Sequence, residues 1–146
     1  MKKTVSIVVP CYNEEESIPL YYDAVKKLFD NELASCELEV IFVDDGSRDG
    51  TLKELRELAA AHTREPAQVR YLSFSRNFGK EAAMLAGLRE ATGDYLVLMD
   101  ADLQHPPTLL PRMYRILRDS GGALDLCGAR RRGRAGEGKI RACLSR

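Results

Sequence analysis

Short apolar runs alternating with segments of helical period constrain this 146-residue chain more than any other feature. Residues 5–10 (VSIVVP), 38–43 (LEVIFV), 69–74 (VRYLSF) and 95–99 (YLVLM) read as strands, and 124–128 as a short fifth. The first, VSIVVP, is too continuously apolar for a sheet with one wet face and reads as buried on both sides. Between the runs, residues 16–33 predict a helix, with Ile18, Tyr21, Tyr22, Val25 and Leu28 at helical spacing. Asp49 or Thr51 caps a second helix through residue 61, with Leu52, Leu55, Leu58 and Ala59 on one face. A third helix covers 79–91, ended by Gly93. A fourth covers 107–120, with prolines early and Gly121-Gly122 after it. From residue 130 a loop and the start of a helix are expected. This order predicts an α/β protein, a mostly parallel sheet between helices on both faces.

In such sheets ligands bind beyond the carboxyl ends of the strands, where strand order reverses. The unusual polar residues fall at those ends: PCYNE after strand one, VDDGS after strand two, SFSRNFGK after strand three and MDADLQ after strand four. If strand geometry continues past residue 99, Asp100, Asp102 and Gln104 point the same way. Two carboxylates and a carboxamide oxygen form a hard-oxygen set that suits Mg²⁺ or Mn²⁺ shared with phosphate oxygens, and such a metal neutralises a departing diphosphate. Alone, an acidic pair of this kind also caps a helix. Its place after an apolar strand, beside two other acidic strand ends, favours the metal. Asp44-Asp45-Gly46-Ser47 offers carboxylates to a base N–H or a ribose hydroxyl, and an Asp-Gly pair also makes a plain turn. Pro10 ends strand one, Tyr12 offers a ring face to a base and Glu14 an acceptor, while Asn13 or Ser17 caps the helix that follows. Arg76, Lys80 and Arg130 lie near the same rim and suit a diphosphate, though each alone also reads as a surface charge. His105, followed by two prolines, reads as structural.

Other classes fall away. Hydrophobic residues make up 45% and charged residues 30%, which excludes a disordered chain. No apolar run approaches the ~18 residues that span a bilayer. The opening MKKTVSIVVPCYNEE reaches Asn13 and Glu14 too soon for a signal peptide. Cys11, Cys36, Cys127 and Cys143 form no CxxC pair and meet no histidine cluster, so reduced thiols in a cytoplasmic protein are expected, with Cys11 and Cys127 acting as small hydrophobes. No GxGxxG follows strand one, which excludes a nicotinamide-binding Rossmann domain. Residues 133–139 (GRAGEGK) spell GxxxxGK, but Ile140 stands where a P-loop needs Ser or Thr. A receiver-like signalling domain needs an acidic pair after strand one and an Asp after strand three, where this chain has PCYNE and SFSRN. Charge is uneven: seven basic residues against Glu137 alone over 130–146, and 15 basic against 21 acidic side chains before that. The tail is read as meeting an anionic partner, or as a solvated extension. No nucleic-acid partner is called for.

The stretches VSIVVPCYNEEESI, VIFVDDGSRDGT, RNFGKEAAMLAGL and GDYLVLMDADLQHPP resemble the family-2 inverting glycosyltransferases of GT-A fold. Within them the chain is most similar to the polyprenyl-phosphate sugar transferases, the bactoprenol glucosyltransferases and dolichol-phosphate mannosyltransferases. The resemblance covers about residues 4–134. It implies a three-layer α/β/α GT-A, Rossmann-like, nucleotide-sugar-binding domain over 1–129 and a partial, basic acceptor-side segment over 130–146. It also implies that Pro10, Tyr12, Glu14, Val43 and Asp45 hold the nucleoside, with Asp44 and Lys80 beside them. Asp100, Ala101, Asp102 and Gln104 then hold the diphosphate and a Mg²⁺ or Mn²⁺ ion, with Asp102 the catalytic residue, and Arg130 contacts the diphosphate. RNFGKEAA leans toward UDP-glucose as donor, while DLQHPP keeps GDP-mannose open. The implied partners are a nucleotide sugar, a lipid-phosphate acceptor and, through the basic tail, the cytoplasmic face of a membrane. A homo-oligomer stays open. Family members continue further, with interfacial and often membrane-spanning helices, so the chain is expected to be C-terminally truncated relative to them. Transfer to a sugar hydroxyl, and a non-catalytic nucleotide-binding module, remain the alternatives.

Overall fold

In the computed structural model, residues 2–64, 67–102, 107–119 and 129–131 are described. The element order is β1 (Lys3–Cys11), α1 (Ser17–Asn31), β2 (Cys36–Asp44), α2 (Thr51–Ala61), β3 (Ala67–Ser73), α3 (Lys80–Glu90) and β4 (Tyr95–Leu98). A 3-10 turn at Pro107–Leu109 then leads into α4 (Leu110–Asp119), and β5 (Ala129–Arg131) follows. The sheet runs β3-β2-β1-β4-β5. The first four strands are parallel and β5 pairs antiparallel with β4, Val97 opposite Ala129 and Tyr95 opposite Arg131. The expected fifth strand at 124–128 lies outside the described residues. The loop expected from residue 130 gives way to strand at Arg130 and Arg131, because the open edge of β4 offers backbone groups that pair with them.

β1 lies at the centre and is covered on both sides, which explains its unbroken apolar run. Val5, Ile7, Val9 and Cys11 face a layer built by Ile18, Tyr21, Tyr22, Val25 and Phe29 of α1, Leu55 of α2, and Leu110 and Met113 of α4. Val8, with Ile41 and Val43 of β2, faces Ala83 and Leu88 of α3. Each fully buried Val or Ile contributes about 1.5–3 kcal/mol of transfer free energy. The buried stripe of α1 ends on Phe29, a full turn beyond Val25, while the expected Leu28 is only half-buried.

A polar network pins the C-terminal end of α3 to the sheet. The buried Glu39 carboxylate accepts from Ser6 Oγ at 2.6 Å, Thr92 N–H at 3.1 Å, Thr92 Oγ1 at 2.8 Å and Arg70 Nη1 at 2.8 Å. Burial pushes its pKa up, but these hydrogen bonds outweigh burial and hold it below the ordinary carboxylate value. Among the described residues, no helix is long and apolar enough to cross a membrane.

From β1 the chain passes to β2 and β3 on one side, then returns to place β4 on the other. Strand order therefore reverses between β1 and β4, the position at which sheets of this class open a crevice. Register brings the ends together, Cys11 opposite Asp44 and Val8 opposite Leu98, and Met99 N–H donates to Val8 O at 3.0 Å.

Candidate functional site

An open cleft of about 180 Å³ lies at this reversal. The end of β1 contributes Pro10 and Cys11 to its wall, and the segment after it Tyr12 and Glu14. The end of β2 contributes Asp45, the start of α3 Lys80, and the segment after β4 Asp100, Ala101 and Asp102.

The wall is fastened by hydrogen bonds between loops. Asn13 takes a left-handed conformation, φ 52°. Its N–H donates to Ser47 Oγ and its Oδ1 accepts the Arg48 N–H, both at 2.9 Å. Glu14 N–H donates to Thr51 Oγ1 at 2.9 Å, and Gly50 N–H to Glu15 Oε2 at 2.8 Å. The expected cap of α1 by Asn13 or Ser17 is therefore not made. Asn13 is spent on the neighbouring loop, and Glu16 stands at the N-cap without a side-chain hydrogen bond. At α2 the expected cap by Asp49 or Thr51 is not made either: Gly50 stands at the N-cap without a side-chain hydrogen bond, Thr51 is the first helical residue, and Asp49, one residue before the cap, accepts the Thr51 N–H at 3.0 Å in a local Asx turn.

Asp44, the last residue of β2, and Asp45 after it take separate tasks. Asp44 Oδ1 accepts the Ser47 N–H at 3.0 Å and closes the turn. Asp45 reaches across to the start of α3: Oδ1 accepts the Phe78 N–H at 2.7 Å, and Oδ2 the Gly79 N–H at 3.1 Å. A carboxylate here meets the positive end of the helix dipole. Gly46 (φ +71°) lets the turn close against the 76–77 backbone, where a Cβ would stand 2.4 Å from the Arg76 carbonyl carbon. Lys80 then extends across the cleft, its Nζ 2.7 Å from Asp100 Oδ1. Burial, and secondarily the charges of Glu14, Asp44 and Asp100, push the Cys11 thiol well up, so it stays neutral and unreactive.

Eight of the expected site residues thus meet at one cleft: Pro10, Tyr12, Glu14, Asp45, Lys80, Asp100, Ala101 and Asp102. Val43 and Asp44 do not line it. Val43 is buried against α3 and Asp44 beneath its own turn. Arg76 lies over the Phe78 ring, 4.5 Å from its centroid. Arg130 is placed only through its backbone, opposite Leu96 in β5, and Gln104 and His105 fall outside the described residues. Strand alternation does not carry Asp100 and Asp102 to the cleft: β4 ends at Leu98 and residues 101–102 form a turn, so turn geometry brings both carboxylates there. Cys11 was missed as a wall residue, although its place between Pro10 and Tyr12 signals it.

Asp100 and Asp102 suit a hard divalent cation. Mg²⁺ and Mn²⁺ sites use one or two protein carboxylates and take their remaining oxygens from phosphate and water. Among the described residues no cluster of three His, Cys, Asp or Glu is arranged for a metal.

Residues 6–143 match the model of the family described as glycosyl transferase family 2. The chain is similar to the prophage bactoprenol glucosyl transferase homolog of Escherichia coli (strain K12), 42% identical over 137 residues that cover 94% of this chain and 42% of that protein. Among solved structures it is similar to the mannosyltransferase PcManGT from Pyrobaculum calidifontis in complex with GDP-Man and Mn²⁺. That match has TM-score 0.65 and 30% identity, covering 80% of this chain and 33% of that one. It is also similar to the glucosyl-3-phosphoglycerate synthase of Mycobacterium tuberculosis in complex with Mn²⁺, UDP-glucose and phosphoglyceric acid. There the TM-score is 0.57 at 29% identity, covering 79% of this chain and 39% of that one. The chain spans about two fifths of the length of the curated relatives it matches. With a family match over nearly all its residues and the GT-A order of its strands, this chain belongs to glycosyl transferase family 2.

Proposed function

We propose that the cleft binds a nucleoside diphosphate sugar together with Mg²⁺ or Mn²⁺, and that the whole protein transfers the hexose, with inversion, to a polyprenyl phosphate. One observation carries the reading: Tyr12, Glu14, Asp45, Lys80, Asp100 and Asp102 surround a single cleft at the strand-order reversal. Tyr12, 44% exposed at the rim, offers its ring face to the base. Glu14 and the remaining lone pairs of Asp45 accept from base and ribose. Asp100 and Asp102 would hold the metal, which when bound neutralises charge on the departing diphosphate. Lys80 stands beside that diphosphate as a further cation.

An acceptor phosphate monoester has a second pKa of about 6 and is already anionic near neutral pH, so this chain needs no strong base of its own. The seven basic residues of 130–146 would draw such an acceptor and an anionic cytoplasmic membrane face, at about 1 kcal/mol per basic residue near the surface. UDP-glucose is the first donor and GDP-mannose the second; the E. coli relative named for bactoprenol glucosyl transfer supports the first. A hydroxyl acceptor is the second reading, supported by the likeness to the synthase solved with phosphoglyceric acid.

Calorimetric titration of UDP, GDP and CDP, with and without Mn²⁺, tests the donor half. UDP binding that strengthens with Mn²⁺, and loses that gain in Asp102→Asn, is expected. Binding of none of the three refutes the reading. Transfer from UDP-glucose by a chain of the relatives' length, offered undecaprenyl phosphate or free sugars, separates the acceptors.

A further inference from the structure

Building on the donor-and-metal reading of the cleft, we propose that Lys80 is a resident counter-cation for Asp100. It occupies Asp100 Oδ1 until a divalent cation takes that oxygen, and it then turns to the diphosphate. The ammonium lies 2.7 Å from Asp100 Oδ1, so it holds the oxygen that a metal would use, and two cations on one carboxylate oxygen repel each other.

The position of Lys80 is itself unusual. It is the first residue of α3, and the start of a helix disfavours a cation. Asp45 makes the placement tolerable by setting its carboxylate on the Phe78 and Gly79 N–H groups, two and one residues earlier. The same contacts, with Gly46 closed on the 76–77 backbone, hold the root of Lys80 in place. The side chain beyond the root is 55% exposed, and that of Asp100 29% exposed. A half-exposed ion pair is weak and its lysine stem has rotamer freedom, so the ammonium can leave Asp100 without any movement of the helix.

This arrangement gives Lys80 opposite effects on the two ligands. It opposes the metal alone and assists the diphosphate that follows, so it favours metal and nucleotide arriving together over metal by itself. A lysine that only supported the fold would shift both affinities in the same direction.

Mn²⁺ uptake by the 146-residue chain, read from the paramagnetic resonance of free Mn²⁺, is compared in wild type, Lys80→Ala, Lys80→Met and Lys80→Arg. UDP is then titrated by calorimetry at saturating Mn²⁺. Lys80→Met keeps most of the aliphatic stem, so the comparison survives any packing loss in Lys80→Ala. Removing the ammonium is expected to tighten Mn²⁺ binding about two- to fivefold, the range of an exposed ion pair. It is expected to weaken UDP about three- to tenfold, as for one lost hydrogen bond of ordinary strength at a half-exposed site. Lys80→Arg stays near wild type in both. Folded Ala and Met variants that take up Mn²⁺ no more tightly than wild type overturn the proposal alone. A chain that takes up no Mn²⁺ in the wild type or in the Lys80 variants, with or without UDP, overturns the metal reading and this proposal with it.

Discussion

Gly46→Ala perturbs the turn that carries both Asp45 and the root of Lys80. At φ +71° an alanine is strained by about 1–2 kcal/mol. Its Cβ would also stand 2.4 Å from the Arg76 carbonyl carbon and 2.5 Å from the Asn77 nitrogen. Those neighbours are backbone, so no rotamer change relieves the contact and the 76–77 segment must shift, an overpacking penalty of about 1–3 kcal/mol. Together the variant loses about 2–5 kcal/mol, a large part of the 5–15 kcal/mol a domain commonly has. Gly79→Ala is the matched control. Its φ is +103° but nothing lies within 4 Å of its Cβ, so only the backbone penalty of about 1–3 kcal/mol applies. Urea unfolding of wild type and both variants, compared at a common m value, gives the difference. Gly46→Ala is expected to lose more than Gly79→Ala and to bind UDP more weakly, because the shift carries Phe78 and Gly79 off Asp45. A Gly46→Ala protein within 1 kcal/mol of wild type, or a Gly79→Ala protein that loses as much, refutes the argument.

Glu39→Gln places an amide among donors that need a carboxylate, and is expected to cost about 2–4 kcal/mol in denaturant unfolding. Because the folded-state pKa of Glu39 lies below its ordinary 4.5, its contribution is full above that pH and fades as pH falls through the lower folded value. The gap between wild type and Glu39→Gln should therefore close on acidification, and a gap that widens contradicts the network. The hydroxyl of the buried Tyr21 meets no hydrogen-bond partner among the described residues, so Tyr21→Phe is expected to leave thermal stability unchanged or to raise it by up to about 1 kcal/mol. A loss above 1 kcal/mol means that the hydroxyl is satisfied. Asp45→Asn leaves one of the Phe78 and Gly79 N–H groups facing an amide NH₂. It is expected to lose about 1–3 kcal/mol in urea together with UDP affinity, and full retention of both contradicts the role of Asp45 as the tie to α3.

The fold was legible because parallel strands covered on both faces leave a plain record. VSIVVP and LEVIFV alternate between two helix layers, and the acids that follow them fall at the carboxyl ends by topology alone. What the sequence hid is what depends on distant partners. Asp45 looks like half of an Asp-Gly turn, yet its hydrogen bonds go to residues 33 and 34 positions away. Asn13 looks like a local cap and serves the next loop instead. Lys80 could be placed at the rim, but its pairing with Asp100 joins the start of α3 to the segment after β4, which only the assembled fold brings together. The DAD segment reached the cleft for a different reason than strand alternation, because β4 stops at Leu98 and a turn replaces it. At α1 the period was right and the last buried position was off by one, because Phe29 rather than Leu28 fills the space above the sheet.

The central claim is that the ends of β1, β2 and β4 form one metal-and-nucleotide cleft. Amide NMR spectra of the labelled chain, with UDP present and Mn²⁺ added in substoichiometric amounts, test it most directly. The account predicts selective paramagnetic broadening of residues 11–14, 44–46, 79–81 and 100–102. Signals from Lys3, Glu37, Ala67 and Asp94 at the other end of the sheet should stay sharp. Broadening centred on that opposite end, or a 100–102 segment that stays sharp while 44–46 broadens, contradicts it.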